Sequence, residues 1–139
     1  MSEPARGLIV AHSSLAAGMV AAVRQIAGPE EDALQAVSNE SHGPEGLVAA
    51  IEASVGDAPC VLFTDLANGS CAFAARKVAL ARPRTAVVCG VNLPVLLDFV
   101  FHRELPLAQL AARLQEKGRA GISGTFTEGA PDADRALSG

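Results

Sequence analysis

The sequence predicts an open α/β domain: a parallel sheet with helices packed on both faces. Two patterns and one compositional fact carry the prediction. Short apolar, β-branched runs alternate four times with segments of helical periodicity, the pattern of successive βαβ units. The runs are continuous rather than alternating, as strands covered on both faces require. Half of the 139 residues are hydrophobic, yet there is no Trp, no Tyr and only five Phe. The core must therefore be aliphatic.

The first strand is the apolar run Leu8 to Ala11, ending on His12. Ser13 and Ser14 follow as helix N-cap candidates, and Leu15, Ala16, Met19, Val20, Val23 and Ile26 recur at helical spacing. This helix runs from about Ser14 to Ala27 and stops at Gly28-Pro29. A short second strand is expected over Ala33 to Val37. The stretch Asn39 to Gly43 reads as loop, with His42 exposed in it. Pro44 suits the first turn of the next helix, whose buried face is Leu47, Val48, Ile51 and Val55. Cys60-Val-Leu-Phe-Thr64 is the third strand. It runs into Asp65-Leu-Ala-Asn-Gly-Ser70, a turn rich in residues that tolerate unusual backbone angles. A helix then continues to Arg82, closed by Pro83, and Thr85 to Cys89 is the fourth strand. Helices are expected from Pro94 to about Arg103 and from Leu107 to Glu116 before Gly118. Ile122 to Phe126 is a candidate extra edge strand, and 127–139 a polar, frayed tail. The expected organisation is one domain over residues 1–126.

Composition narrows the function. A net charge of −4 leaves no basic footprint for nucleic acid. No apolar run approaches the roughly 20 residues that cross a bilayer, and Met1-Ser-Glu-Pro4 lacks the pattern of a signal peptide. A cytoplasmic protein is the expectation. Cys60 and Cys89 read as small buried residues. Cys71 stands at a helix start, where the dipole would lower its thiol pKa, but no histidine is beside it in sequence. His12, His42 and His102 are far apart, and nothing has metal-ligand spacing. His102, near a helix end, suits a structural role.

In open α/β sheets ligands bind outside the carboxyl ends of the strands, at the switch point of strand order. In the order 2-1-3-4, His12 at the end of strand one and Asp65 at the end of strand three become neighbours. A carboxylate that accepts one ring N–H fixes the tautomer and leaves the other nitrogen as a free base or nucleophile. N–H groups near Ser13 and around Asn68, Gly69 and Ser70 suit a phosphoryl group at that corner. Two other readings stay open: Ser14 as a hydrolase nucleophile with His12 as base, although no G-x-S-x-G elbow is present, and Asp65 as a plain helix N-cap.

Val10-Ala-His-Ser-Ser-Leu-Ala16, Leu62-Phe-Thr-Asp-Leu-Ala-Asn-Gly-Ser70 and Gly90-Val-Asn-Leu-Pro-Val-Leu-Leu97 together resemble the mannose-type IIA domain of the bacterial phosphoenolpyruvate-dependent sugar phosphotransferase system, over residues 7 to about 121. The resemblance implies a phosphohistidine relay. The carrier HPr donates to His12 at Nε2, Asp65 orients the ring through Nδ1, Ser70 and neighbouring N–H groups hold the phosphate, and a IIB domain receives it. It implies a homodimer in which a late edge strand completes the partner's sheet, peripheral at most to membrane IIC and IID subunits, and calls for no cofactor. The chain departs from the family where the usual Gly-Gly-Ser-Pro loop reads Asn68-Gly-Ser-Cys71 and Ala67 replaces a common aromatic. The His-Ser-Ser run is also similar to the phosphotransferase subunit that serves dihydroxyacetone kinase, which lacks the Gly-Val-Asn-Leu-Pro motif. A regulatory module that signals phosphorylation state without a transporter is the third possibility.

Overall fold

The computed structural model describes residues 3–129. Nine elements follow in order: β1 (Arg6–Ala11), α1 (Leu15–Ala27), β2 (Leu34–Ser38), α2 (Pro44–Val55), β3 (Cys60–Thr64), α3 (Ser70–Ala81), β4 (Thr85–Cys89), α4 (Leu93–Val100) and α5 (Leu107–Ala120). The strands form one parallel sheet in the order β2-β1-β3-β4, the parallel sheet that the alternation predicts in the order that the family resemblance implies.

Period-two alternation sends the side chains of β1 and β3 to two separate cores. Ile9, Ala11, Val61 and Phe63 pack with Ala16, Val20 and Val23 of α1, Val95, Leu96 and Phe99 of α4, and Leu110 and Leu114 of α5. Leu8, Val10, Cys60 and Leu62 face Leu47, Ile51 and Val55 of α2 and Cys71, Ala74, Ala75 and Val78 of α3. With both faces covered, the central strands are apolar at nearly every position. The one aromatic contact among the described residues, Phe63 edge-on to Phe99 at 5.3 Å between centroids, lies in the first of these cores.

Two helix ends and one candidate strand depart from the sequence expectation. Helix α4 ends at Val100 rather than about Arg103, because the backbone tightens there: Phe101 N–H donates to the Asp98 carbonyl and His102 N–H to that of Phe99. The His102 ring nitrogen Nδ1 lies 2.8 Å from the same Asp98 carbonyl, in keeping with a structural role. Helix α5 continues through Gly118 to Ala120. Gly118 is a packing residue, not a terminator; its Cα hydrogen faces Val95, and its carbonyl accepts from Asn92 Nδ2 at 2.9 Å. Residues 122–129 form no strand among the described residues, so the extra edge strand expected at Ile122 to Phe126 is absent from this single chain. A lone segment beside β4 lacks the buried face that would hold it there: Ile122 and Phe126 are 76% and 86% exposed. The expected tail beyond residue 129 lies outside the described residues.

Gly7 is where β1 lets α4 come close. A Cβ there would sit 2.7 Å from Phe99 Cε2 and 2.9 Å from Leu34 Cδ1. Gly7→Ala is expected to overpack the core and to destabilise the protein by about 1–3 kcal/mol in denaturant unfolding. An unchanged midpoint would mean that the Phe99 ring has room to retreat.

Candidate functional site

The parallel register of β1 and β3 pairs Val10 with Thr64, so His12 and Asp65 leave their strands side by side. The His12 backbone N–H donates to Asp65 Oδ2 at 3.0 Å, and His12 Nδ1 lies 2.8 Å from the same oxygen. Asp65 Oδ1 accepts the Leu66 N–H at 3.0 Å. Both carboxylate oxygens are thus occupied. Burial alone would raise the Asp65 pKa, but the His12 backbone and ring hydrogen bonds and the imidazole charge outweigh it and hold the carboxyl below its ordinary value. An ionised carboxylate only accepts, so in the neutral ring Nδ1 carries the proton and Nε2 keeps its lone pair. The Asp65 side chain is 11% exposed and that of His12 42%. The carboxylate is sheltered while the imidazole reaches solvent.

The plain N-cap reading of Asp65 does not survive. The N-cap of α3 is Gly69, four residues on. No hydrogen bond joins Ser14 to His12 among the described residues. Ser14 is the N-cap of α1 by position, without a side-chain cap bond.

Ser13 stands next to His12, but its N–H is not available to a phosphate. It adopts φ 56°, donates its N–H to Asn39 Oδ1 at 3.1 Å, and accepts the Ser38 hydroxyl on its carbonyl at 2.8 Å. Asn39 N–H in turn donates to the Ala11 carbonyl. These contacts hold a turn that a non-glycine residue adopts only under constraint. The Ser38 and Asn39 brace escaped the sequence reading. A polar pair just past a strand next to the first is the signal that could have found it.

Asn68, Gly69 and Ser70 are all exposed. Gly69 has φ 104° and ψ −175°, a conformation open essentially to glycine alone, and it supplies no side-chain cap. The first-turn N–H groups of α3 are therefore left without the oxygen that a Ser or Asp N-cap would bring. This helix start abuts the imidazole: Cys71 Sγ is 3.9 Å from His12 Nδ1. Cys71 is a second correction. Its thiol pKa is raised, first by burial and then by the Asp65 charge, against the Ser70 hydrogen bond that lowers it. The helix-start location does not win. The fold also builds the Cys/His grouping that sequence spacing lacks, with ligand atoms of His12, Asp65 and Cys71 all within 4.8 Å of one another. Cys60, by contrast, is core; burial pushes its thiol up to about 12 despite nearby Arg82 and Arg6. His42 is exposed before α2.

Gly90 to Pro94 acts from a distance. The Gly90 and Val91 N–H groups both donate to the Thr64 carbonyl, fixing the residue before Asp65. Asn92 caps α4 by accepting the Val95 N–H at 3.0 Å and binds α5 through Gly118. Asn92→Ala is expected to cost about 1–2 kcal/mol in denaturant unfolding.

A depressed carboxyl pKa stabilises the fold at pH values above the unfolded-state value, about 3.9, and the gain is lost as pH falls through the folded-state value. The melting temperature of Asp65→Asn should therefore lie below that of the native chain from neutral pH down to about pH 4. The gap should close in stronger acid. A gap independent of pH would show that the ionised carboxylate is not its source.

The chain matches the family model described as PTS system fructose IIA component over residues 7–113. Among solved structures it is similar to the phosphotransferase system component EIIA from Streptococcus agalactiae, with a TM-score of 0.79 at 21% identity over 86% of this chain and 95% of that one. It is also similar to the mannose/sorbose specific IIA subunit from Enterococcus faecalis, at 0.78 and 20% over 92% and 99%. A sigma-54 interaction domain protein from Enterococcus faecalis shares the fold at 0.69 and 13% over 86% and 94%. No curated protein matches the chain at a significant level. With the family match spanning most of its length, the chain belongs to the family of IIA components of the phosphoenolpyruvate-dependent sugar phosphotransferase system.

Proposed function

We propose that this chain is a phosphohistidine relay protein that accepts a phosphoryl group from phospho-HPr on His12 and passes it to a IIB domain. The observation that carries the reading is the 2.8 Å contact between His12 Nδ1 and Asp65 Oδ2. It holds the ring proton on the inner nitrogen and leaves Nε2 as the nucleophile. In the transfer, the Nε2 lone pair attacks the phosphorus of the donor phosphohistidine. The new N–P bond forms as the donor N–P bond breaks, and the donor ring recovers its electron pair. The His12 ring becomes cationic, and the Asp65 carboxylate offsets that charge. Donation to the IIB domain reverses these events. First-turn N–H groups of α3 at Ser70, with the Asn68-Gly69 turn, hold the phosphoryl oxygens. Exposed Leu66 and Phe73 beside them suit a protein partner.

The relay protein acts as a homodimer in this reading. The sheet ends at β4, whose residues are mostly half-buried. A groove of about 340 Å³ beside it is lined by Val87, Val88, Gly90, Val95 and Leu114 and by the chain's own Ile122. The 122–126 segment of a second copy, apolar at Ile122 and Phe126, would pair along this edge.

Incubation with phosphoenolpyruvate, enzyme I and HPr should label the native chain with an acid-labile, base-stable phosphoryl group and leave His12→Ala unlabelled. Asp65→Asn should fold and be labelled roughly a hundredfold more slowly, the loss of about 3 kcal/mol of transition-state stabilisation. Persistent labelling of His12→Ala would sink the relay at this residue. Light scattering should give twice the chain mass at micromolar concentration.

A further inference from the structure

We propose that His12, Asp65 and Cys71 form a binding site for a thiophilic divalent cation such as Zn²⁺, and that its occupation blocks the phosphoryl acceptor. The three side chains come from three elements: the end of β1, the end of β3 and the first turn of α3. They supply a nitrogen, a carboxylate oxygen and a sulfur, the donor types found around zinc. His12 Nδ1 lies 2.8 Å from Asp65 Oδ2 and 3.9 Å from Cys71 Sγ, and no pair of ligand atoms exceeds 4.8 Å. Bond lengths of about 2.0–2.3 Å at tetrahedral angles place such donors roughly 3.4–3.6 Å apart. Opening the nitrogen–oxygen pair by about half an ångström, with the sulfur drawn toward the nitrogen by less and toward the oxygen by up to about 1.3 Å, would admit the ion.

The surroundings fit a three-ligand site with an open position. Cys71 is 1% exposed and the Asp65 side chain 11%, whereas that of His12 is 42% exposed. The soft ligand is shielded on the protein side, and water fills the fourth position from solvent. Asp65 Oδ1 stays bonded to the Leu66 N–H, so the carboxylate is already oriented. The other two thiols belong elsewhere: Cys60 lies in β3 and Cys89 in β4, against Arg76.

Coordination at Nδ1 displaces the ring proton to Nε2, and the Cys71 thiol proton passes to solvent. The nitrogen that would attack phosphorus then has no lone pair, and Asp65 no longer serves the ring. Metal and phosphoryl group are mutually exclusive. This consequence rests on the relay reading; binding itself does not.

Co²⁺ is the probe for binding. The native chain should take up a single equivalent and show a thiolate-to-cobalt charge-transfer band. The band should vanish in Cys71→Ala, which keeps Cys60 and Cys89, and weaken in His12→Gln. Zn²⁺ added to the coupled labelling system should inhibit the native chain at concentrations well below those that inhibit Cys71→Ala. The variant carries the same enzyme I and HPr sensitivity and so serves as the control. A charge-transfer band that persists in Cys71→Ala, no Co²⁺ uptake, or equal zinc sensitivity of the two proteins would overturn the site. Labelling without metal and Co²⁺ uptake are read separately. Failure of the first with success of the second removes the relay and leaves the cation site standing.

Discussion

The arrangement at the site depends on the parallel pairing of β1 with β3. These strands are separated in sequence by α1, β2 and α2, yet they are adjacent in the sheet because β2 lies on the other side of β1. The reversal of strand order leaves a crevice at their carboxyl ends. Register then decides which residues meet in it. With Val10 opposite Thr64, Asp65 follows one residue out on β3 and His12 two residues out on β1, close enough for the His12 N–H to donate to Asp65 Oδ2. A slip of one residue would turn Asp65 to the other face of the sheet and leave the imidazole without its partner. The register is secured by two cores at once, since Ile9, Val61 and Phe63 face one helix layer and Leu8, Val10 and Leu62 the other. A slip would misplace both.

The far side of β3 contributes as well. The Thr64 carbonyl accepts two N–H groups from Gly90 and Val91, and its hydroxyl donates to the Leu66 carbonyl at 2.7 Å. Thr64 is fully buried, so these bonds satisfy polar groups that would otherwise destabilise the core. They also clamp the backbone on both sides of Asp65. The Gly-Val-Asn-Leu-Pro run therefore bears on the His12 ring without touching it, through one carbonyl of an adjoining strand.

Strand and helix identities were legible because they depend on local apolar pattern, and that pattern is strong in this aliphatic chain. His12 and Asp65 were legible because each ends an apolar run and topology does the rest. Three features were not. Gly118 looked like a helix stop, since in sequence a glycine that ends a helix and one that admits a neighbouring side chain are the same letter. The Ser13 N–H looked free because Asn39, which takes it, lies beyond α1 and β2. Cys71 reads as isolated because the histidine beside it in space, His12, is 59 positions away, and its thiol reads as activated because burial and the Asp65 charge are invisible in a linear pattern. In each case a tertiary contact overrides a local rule.

In the proposed relay, the carboxylate that orients His12 would also weaken its phosphorylated product. With phosphate on Nε2, a group of charge near −2 stands one imidazole ring away from Asp65, in a setting where charges are only partly screened by water. The ring cation between them and the N–H groups at the start of α3 offset this repulsion, but not with a full positive charge on the phosphate side. No Lys or Arg is among the residues in contact with His12 or Asp65 by hydrogen bond or ion pair in the described chain. A lysine or arginine there would hold the phosphoryl group firmly and slow its departure. In the proposed relay, binding by neutral N–H groups at a helix start would leave the phosphohistidine reactive, as a group that must be passed on requires.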